Sequence, residues 1–304
     1  MSGSVGTSVR RAASILRRGG VVGVPTETVY GLAADATNRE AVRQVFRVKG
    51  RPVDHPLIVH VASRRAARRW SADWNEVADA LARRFWPGPL TLVVLRAPWV
   101  PDEVTGGRDT VALRVPSHAG MRRLLRRTRL GLAAPSANRF GSVSPTNAAH
   151  VVRDLGSAVD YVLDGGDCSI GLESTIVDCT VSPPQILRPG GVTYEEVLGV
   201  VGRLGSASGP SRAPGMLESH YAPVCRVILV ENPDEAEQER VRSSGLRSRI
   251  LDASVDPGAF ATTMYRELRR CDDEGIELVI VVLPPEAGIG AAIRDRLGKA
   301  AAGR

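Results

Sequence analysis

The sequence predicts an α/β protein with two domains, and three observations support this prediction. Short apolar segments alternate with longer segments whose apolar residues recur at helical spacing. Strong breakers such as Trp86-Pro87-Gly88-Pro89 separate the segments. Residues 205–215 are rich in Gly, Ser, Ala and Pro, which is typical of a linker. We therefore expect a large domain at 1–204, a linker or lid at 205–222 and a small α/β domain at 223–304.

The elements of the large domain are predicted in order from apolar periodicity. Residues 8–18 place Val9, Ala12 and Leu16 on one helical face, and Gly19-Gly20 ends that helix. The remaining helices are expected at 38–48, 75–85, 118–127 and 193–203, and the strands at 21–24, 57–61, 90–95, 111–115, 130–133, 159–163, 175–179 and 185–188.

Two further parts of the chain have recognisable patterns. Ser144-Pro145-Thr146 reads as a helix start, with serine as the cap and proline at the first helical position. Beyond the linker, apolar runs predict strands at 226–230, 249–251 and 278–283, and helical spacing predicts helices at 259–271 and 287–301.

The charge balance favours an anionic ligand. The 304-residue chain carries a net charge of +7, and of its 40 basic residues only Lys49 and Lys299 are lysines. Such a balance suits RNA or a nucleotide phosphate. For most of the arginines a solvated surface is the simpler interpretation.

The cysteines and the apolar runs limit the class of protein. Cys168, Cys179, Cys225 and Cys271 show no paired spacing, so we expect reduced structural thiols in a cytoplasmic protein rather than a zinc site or disulfides. No apolar run approaches about 20 residues, so no membrane span is predicted. The N-terminus lacks the apolar core of a signal peptide.

The stretch Pro25–Gly31 places Thr26, Glu27 and Thr28 directly after a buried strand. Sites in open α/β sheets lie at strand ends, where hydroxyl and carboxylate groups can line a pocket. A polar turn followed by a helix cap explains the same residues equally well. Glu27 could hold a cation or pair with a nearby basic side chain.

Other polar side chains also fall in or beside predicted strands, or where a helix meets a loop. If these strands are neighbours in one sheet, many of the groups converge on one cleft. Hydroxyls, amides and cations with few carboxylates indicate an anion-binding site more than a hydrolytic acid/base pair. The residues are Thr26, Thr28, Lys49, Arg51, His60, Arg114, Ser136, Asn138, Ser144, Thr146, Ser174, Thr175 and Arg188.

Two of these residues have a structural explanation that stays open. Lys49 could supply a compact positive charge to a phosphate, or it could lie in solvent at a helix end, where the dipole favours a cation. His60 lies in an apolar strand, where a histidine is more often part of the core than a ligand. The chain has no phosphate-binding GxxxxGK[ST] loop, no GxGxxG after a strand and no HExxH.

Taken together, the motifs resemble the threonylcarbamoyl-AMP synthase family in its long, two-domain form. Each motif is weak alone, but their order over about 200 residues is specific. The motifs are PTETVYGL at 25–32, KGRP at 49–52, PLIVHV at 56–61, WPGPLT at 86–91, ALRVP at 112–116, APSAN at 134–138, SPT at 144–146, ESTIVD at 173–178, LRPG at 187–190, APGMLESHYAP at 213–223 and AIRDRLGKAA at 292–301.

The resemblance implies a fold and a reaction. The fold is a YrdC-type twisted mixed sheet with flanking helices and a positively charged cavity, followed by a small Rossmann-like α/β domain. The reaction joins L-threonine, bicarbonate and ATP, normally with Mg²⁺, to form threonylcarbamoyl-AMP and pyrophosphate. The product serves N6-threonylcarbamoyladenosine formation at position 37 of tRNA, and a separate transferase complex places the group on the tRNA.

The resemblance also assigns residues. Lys49 and Arg51 become the catalytic candidates, and no metal ligand is assigned. The residues implied to contact threonine are Thr28, His60, Arg114, Ser136 and Ser174. Those implied to contact ATP are Lys49, Arg51, His55, Thr110, Asn138, Ser144, Thr146, Arg188 and Tyr221, with His220-Tyr221 folding over the nucleotide. His55 stands where the family commonly has asparagine.

A second class of function also fits the basic composition. The chain could be a non-catalytic module that binds double-stranded RNA or tRNA on a basic concave face. Against this, the sequence lacks the aromatic stacking platforms common in sequence-specific RNA readers. Pyrophosphate release that depends on threonine and bicarbonate separates the enzyme from the binding module.

Overall fold

The computed structural model describes residues 4–206 and 221–302, which form two β-sheets with helices packed on them. The larger sheet is mixed and follows the order β1-β9-β2-β3-β8-β4-β7-β6-β10-β11, with β5 pairing with β6. Its strands are β1 (Ser4–Gly6), β2 (Val22–Val24), β3 (Gly31–Asp35), β4 (Ile58–His60), β5 (Ser71–Asp73), β6 (Leu90–Arg96), β7 (Thr110–Arg114), β8 (Leu132–Ala133), β9 (Tyr161–Leu163), β10 (Thr175–Asp178) and β11 (Gln185–Arg188).

Helices cover the large sheet on both faces. They are α1 (Val9–Arg17), α2 (Arg39–Lys49), α3 (Arg64–Arg68), α4 (Glu76–Phe85), α5 (Asp102–Thr105), α6 (Ala119–Thr128), α7 (Ala148–Leu155) and α8 (Tyr194–Val201). On one face α1 and α6 pack against Val22, Ala33 and Leu132. On the other, α2, α4 and α7 pack against residues that alternate with these, such as Leu32 and Ala133.

The small unit is a three-stranded parallel sheet in the order β12-β14-β13. Its elements are β12 (Arg226–Val230), α9 (Pro233–Arg242), β13 (Ser248–Asp252), α10 (Pro257–Asp273), β14 (Leu278–Val282) and α11 (Ile289–Ala301). Val279 and Val281 pack against α10 and α11, while Ile280 packs on the opposite face with Ala236 of α9. The two-sided burial explains why β14 is apolar along its whole length.

The face that carries α6 continues into a row of polar side chains. Residues that lie directly opposite on neighbouring strands share a face. Leu132, which packs against α6, is opposite His60, and His60 is in turn opposite Arg114. Arg114 is opposite Thr91. The row therefore leaves the helix-covered half of this face and crosses β4, β7 and β6.

An apolar floor accompanies this row. Ile58, Val93 and Ala112 lie two residues from His60, Thr91 and Arg114, so they share the same face. They form one buried cluster with Ile176 and Leu187. Polar groups and an apolar floor on the same part of a sheet are typical of a ligand site.

The structure corrects the prediction for the Ser144 helix and adds elements that were not predicted. Helix α7 begins at Ala148 and is capped by Asn147, whose side chain accepts from the backbone N–H of His150, so Ser144 is not its cap. Strand β3 was not predicted, although it pairs with both β2 and β8. Its sequence, Gly-Leu-Ala-Ala-Asp, has low β propensity and is held in the sheet by its neighbours.

The predicted domain limits remain a prediction. The described elements of the large unit end with α8 at Val201, and those of the small unit begin with β12 at Arg226. Most of the predicted linker, 207–220, lies outside the described residues. Among the described helices, none combines the length and the hydropathy of a membrane-spanning segment.

Candidate active site

The turn after β2 is organised by one hydroxyl group. Thr26 Oγ1 accepts from the backbone N–H groups of Thr28 and Val29, at 3.1 and 3.2 Å, and donates to the Val29 carbonyl at 2.6 Å. It also lies 2.8 Å from Thr28 Oγ1. Thr26 thus fixes the turn from inside, and Thr28 presents its hydroxyl to the cavity over the apolar floor.

Arg114, the last residue of β7, fixes the other side of this turn. Its Nη1 donates to Thr28 Oγ1 at 2.9 Å, and its Nη2 lies 2.7 Å from Glu27 Oε1. Burial raises the pKa of Glu27, but the Arg114 charge and the hydrogen bonds to the carboxylate together outweigh burial, so the net shift is downward. Glu27 is therefore an ionised partner that orients Arg114.

His60 lies beside Arg114 and is buried. Burial, and then the positive charge of Arg114, lower its pKa to about 3. The imidazole is therefore neutral at physiological pH, and its Nδ1 has no hydrogen-bond partner among the described residues. A neutral ring with a free nitrogen can accept or donate one hydrogen bond to a ligand.

The low pKa of His60 predicts how stability depends on pH. The unfolded chain takes up the proton near pH 6.5, whereas the folded chain does so only near pH 3. The free energy of unfolding should therefore fall with decreasing pH below about 6.5, by up to ~1.4 kcal/mol per pH unit. His60→Gln should remove the part of this pH dependence that comes from the one proton His60 takes up on unfolding. Urea unfolding between about pH 7 and pH 4.5 measures the free energy of unfolding of both proteins.

A matched control is His118→Gln, which changes the cap of α6 and leaves His60 in place. It should shift the unfolding midpoint at every pH but keep the contribution of His60 to the slope. Equal slopes for the wild type and His60→Gln would contradict the buried, neutral state of His60.

Two further arginines give the cavity its positive charge. Arg51 follows the left-handed Gly50 that ends α2, and Arg188 ends β11. Burial lowers the pKa of Arg51 to about 10, so it stays charged near neutral pH. Arg188 donates to the Ser174 carbonyl and to Ser174 Oγ, at 2.8 and 3.2 Å. The two guanidinium groups form a pole suited to an anion.

Lys49 contacts the loop after β8. Its Nζ donates to the carbonyl groups of Ser136 and Asn138, both at 2.6 Å. Burial, and next the charge of Arg51, lower its pKa well below the usual value. Lys49 lies behind the cavity wall, and its side chain holds in place the loop that carries Ser136 into the cavity.

The wall beside Ser174 contains Glu173, which sequence reasoning did not select. Glu173 accepts from Ser144 Oγ at 2.7 Å, from the Tyr265 hydroxyl at 2.8 Å and from Arg296 Nε at 2.8 Å. Burial raises its pKa, but the charges of Arg296 and Arg188 lower it to about 2. Tyr265 and Arg296 belong to α10 and α11, so the small unit holds this wall directly.

Gly190 permits the close packing of this wall. A Cβ atom there would lie 2.4 Å from the Glu173 carbonyl and 2.4 Å from the backbone nitrogen of Thr175. The glycine of the LRPG motif therefore lets the end of β11 approach the segment that carries Ser174. This contact places Arg188 against Ser174.

Tyr221 covers the cavity from the small unit's side. It is buried, has a positive φ of 65° and stacks on Tyr265 with ring centroids 5.8 Å apart. The guanidinium of Arg296 lies 5.2 Å from its ring centroid. His220, predicted to act with Tyr221, lies outside the described residues.

The structure brings together one part of the predicted site. All five residues implied to contact threonine line one cavity, and they are joined there by Arg51, Arg188 and Tyr221. Glu173 is an additional lining residue. The other predicted contacts lie outside the lining: Lys49, His55, Thr110, Asn138, Ser144 and Thr146. Their roles toward ATP remain predictions.

The positions of these other residues differ from one another. Thr110 begins β7, which Arg114 ends, so the two lie roughly 13 Å apart along the strand. The ring of His55 lies 5.6 Å from the ring of Phe140, between centroids. Ser144 binds Glu173, and the Thr146 backbone N–H donates to His150 Nδ1 at 3.2 Å.

The cavity retains hydrogen-bonding capacity that the protein does not use. Within the described part of the chain, Arg51 Nε and His60 Nδ1 are buried without a hydrogen-bond partner, as is Asn138 Oδ1 nearby. Buried polar groups are normally paired, so such atoms indicate a ligand site. The free volume is only about 50 Å³ with Tyr221 in place.

Comparison with known proteins gives two adjacent domain matches. Residues 14–190 match the profile of the Sua5/YciO/YrdC family, which is described as telomere recombination. Residues 192–302 match the profile described as threonylcarbamoyl-AMP synthase, C-terminal domain.

Relatives of similar length share this arrangement. The threonylcarbamoyl-AMP synthase of Pyrococcus abyssi (strain GE5 / Orsay) is 38% identical over 317 residues, covering 96% of this chain and 93% of the relative. That of Bacillus subtilis (strain 168) is also 38% identical, covering 97% and 93%. A crystal structure of P. abyssi Sua5 complexed with L-threonine superposes with a TM-score of 0.92 at 37% identity, covering 99% of this chain and 97% of that one.

Proposed function

Because the chain belongs to the threonylcarbamoyl-AMP synthase family, we propose that it converts L-threonine, bicarbonate and ATP into threonylcarbamoyl-AMP and pyrophosphate in this cavity. It is an ATP-using transferase of the nucleotidyltransferase type. One observation carries the assignment of the site. Thr28, His60, Arg114, Ser136 and Ser174, which lie far apart in the sequence, line the same cavity as Arg51 and Arg188.

The amino acid binds at the Arg114 pole. Arg114 already donates to Thr28, and its guanidinium faces the cavity, where it can clamp a carboxylate. Neutral His60 and the Ser174 hydroxyl supply hydrogen bonds without adding charge. Arg114 is already paired with Glu27, so it offers the single carboxylate of threonine directed N–H groups rather than net charge. These contacts engage the carboxylate and leave the amine free to react.

The triphosphate binds at the Arg51–Arg188 pole. The threonine amine, once deprotonated, bonds to the carbon of bicarbonate, and water leaves to give the carbamate. A carbamate oxygen then bonds to the α-phosphorus of ATP while the bond from that phosphorus to the bridging oxygen breaks, so pyrophosphate departs. Such a transfer needs positioning and charge neutralisation rather than a protein nucleophile. Tyr221 lines the cavity and can help to keep water away from the unstable carbamate once the substrates are bound.

Lys49 acts in this proposal through the loop that it holds. Its Nζ is committed to the Ser136 and Asn138 carbonyls, so Lys49 is a positioning residue that places Ser136 and the neighbouring amide. Arg51, which lines the cavity, is the member of the catalytic pair that neutralises phosphate charge.

Mg²⁺ enters as part of the substrate. The two carboxylates of the described cavity wall do not fit a resident metal site, because Glu27 pairs with Arg114 and Glu173 with Arg296. The described residues contain no cluster of three or more His, Cys, Asp or Glu that could hold a metal. Mg²⁺ commonly reaches such sites on substrate phosphates while keeping its waters.

The wider role follows from the product. We propose that a separate transferase complex consumes threonylcarbamoyl-AMP to modify position 37 of tRNA in the cytoplasm. The four cysteines are free and buried, which suits a reducing compartment. We also propose the domain division 1–204, 205–222 and 223–304, in which the small unit supports the wall of the cavity through Arg296 and Tyr265.

Pyrophosphate release tests the proposed reaction. It should require threonine, bicarbonate and ATP together and should stop when EDTA removes Mg²⁺, because the triphosphate then reaches the cavity without its counter-ion. A coupled pyrophosphate assay with each component omitted in turn checks this. Binding of RNA without any threonine-dependent release would favour the non-catalytic alternative.

A further inference from the structure

An arginine-lined groove between α1 and α6 lies apart from the catalytic cavity. It is a shallow groove of about 810 Å³ that opens widely to solvent, and it is lined by Val9 and by Arg10, Arg17, Arg123, Arg126, Arg127 and Arg129. Arg126 and Arg129 also line a neighbouring groove with Arg69. Arg122, on α6, lines a third with Arg64, Arg65 and Arg68 of α3. These grooves form one continuous surface, which we call the arginine band.

The arginine band differs from the rest of the surface in having almost no acidic partners. Residues 9–18 and 118–130 contain no Asp or Glu. Within the part of the chain that the structure describes, none of the arginines of α1 and α6 forms an ion pair, whereas on α3 Arg64 and Arg68 pair with Asp79. Arginines on α2, α9 and α10 are matched by acids: Arg39 and Arg43 by Glu103, Arg47 by Glu40, Arg240 by Glu237, and Arg270 by Glu274.

A general preference for arginine does not produce this difference, because it would apply equally to the acid-matched helices. Helix dipoles explain only part of the excess of unpaired arginines on α1 and α6. Arg17 and Arg127, in the last turns of α1 and α6, meet where Arg17 donates to the Arg127 carbonyl, and cations are favoured at such ends. Arg10 and Arg123 lie before the last turns and gain nothing from the dipole. Crowded like charges repel each other, and a bound polyanion would relieve that repulsion.

We propose that the arginine band binds the phosphate backbone of a double-helical segment of a folded RNA. The guanidinium fork matches phosphate oxygens. Among the described residues, the α1–α6 groove has no aromatic ring on which single-stranded bases could stack, and Val9 is its only apolar lining residue, which gives little to insert into a membrane. The other two grooves add Trp70, which is buried, and Trp86, which is half-buried. The choice of RNA rests on the proposed function, whose product is consumed on a tRNA.

The location fits this role. Helix α6 covers the sheet face that continues into His60 and Arg114, so the α6 part of the arginine band lies on the same face as the cavity. The α3 part lies beyond it, where Ala67 packs with α4. Among residues 4–206 and 221–302, none lines both the band and the cavity. An RNA can therefore dock without entering the site where threonine and ATP react.

The test uses the full chain and an unmodified tRNA transcript. Binding is measured by fluorescence anisotropy over a range of salt concentrations. The variant Arg123→Gln/Arg126→Gln/Arg127→Gln should bind about tenfold more weakly near physiological salt. The slope of log affinity against log salt should fall by about 2 to 3, since each phosphate contact contributes about 0.7–0.9.

The control variant removes the same charge elsewhere. Arg240→Gln/Arg242→Gln/Arg270→Gln also lowers the net charge from +7 to +4, and it should keep the wild-type affinity and slope. Equal loss in both variants, no loss in either, or tighter wild-type binding to anionic vesicles or to a DNA duplex than to tRNA would overturn the proposal. Pyrophosphate release should be unchanged in both variants. Failure of that reaction in the wild type would count against the proposed function and would leave the binding result standing.

Discussion

Arg114→Gln is expected to lower kcat/KM for threonine by about 10²- to 10³-fold. The substitution removes the cation of the threonine pole, and hydrogen bonds to charged groups contribute about 1.5–3 kcal/mol each. Losing two such bonds to the threonine carboxylate therefore lowers kcat/KM by two or more factors of ten. Initial rates of pyrophosphate release at varied threonine and saturating ATP give the measurement.

The partner of Arg114 supplies the control. Arg114→Gln also leaves the Glu27 carboxylate buried without its cation, which would weaken the fold. The double variant Glu27→Gln/Arg114→Gln replaces the ion pair by a neutral pair. It should recover the unfolding midpoint but not the use of threonine. A folded Arg114→Gln protein with wild-type kcat/KM for threonine would show that Arg114 does not hold the substrate.

Arg296→Met is expected to destabilise the protein by about 3–5 kcal/mol, the usual effect of removing one partner of a buried ion pair. The Arg296 side chain is fully buried, and its Nη2 also donates to the Pro189 carbonyl at 2.9 Å. Its loss leaves Glu173 ionised in the cavity wall and removes the cation against the Tyr221 ring. Urea unfolding near pH 7 measures the loss, and turnover should fall with it.

Two further variants test whether the lost ion pair causes the destabilisation of Arg296→Met. Arg296→Met/Glu173→Gln should recover most of the lost stability, because replacing both members of a buried pair is often neutral. Arg294→Met, which breaks the more exposed pair with Glu231, should cost at most about 1 kcal/mol. Since the folded pKa of Glu173 is about 2, the pair stabilises fully above about pH 4.5 and less as pH falls toward 2. Similar losses for Arg294→Met and Arg296→Met would contradict this account.

The fold could be predicted where the apolar periodicity of a segment agrees with the way that the segment is buried in the structure. The strong apolar periods of α2 and α6 and the buried run of β14 were all predicted near their observed limits. Strand β3 was missed because its Ala- and Gly-rich sequence becomes a strand only between β2 and β8. Helix α9 was missed because it is polar nearly all round and buries little beyond Ala236.

The site could be predicted from the sequence in part. The ordered motifs were enough to select Thr28, His60, Arg114 and Ser174. The folded sheet brings these four residues together around one cavity. The sequence could not show that Lys49 Nζ would be committed to two carbonyls, because that depends on how the loop after β8 packs on α2. Nor could it show that Glu173 meets Arg296, since this contact joins residues 123 positions apart in two units.

The central claim is that this cavity joins threonine, bicarbonate and ATP. Mass spectrometry of the adenylate formed from ¹³C-labelled bicarbonate tests it most directly. We expect an AMP adduct whose mass contains threonine and the labelled carbon, formed by the wild type and nearly absent with Arg114→Gln. An unlabelled adduct, or AMP and pyrophosphate produced at the same rate without threonine, would contradict it.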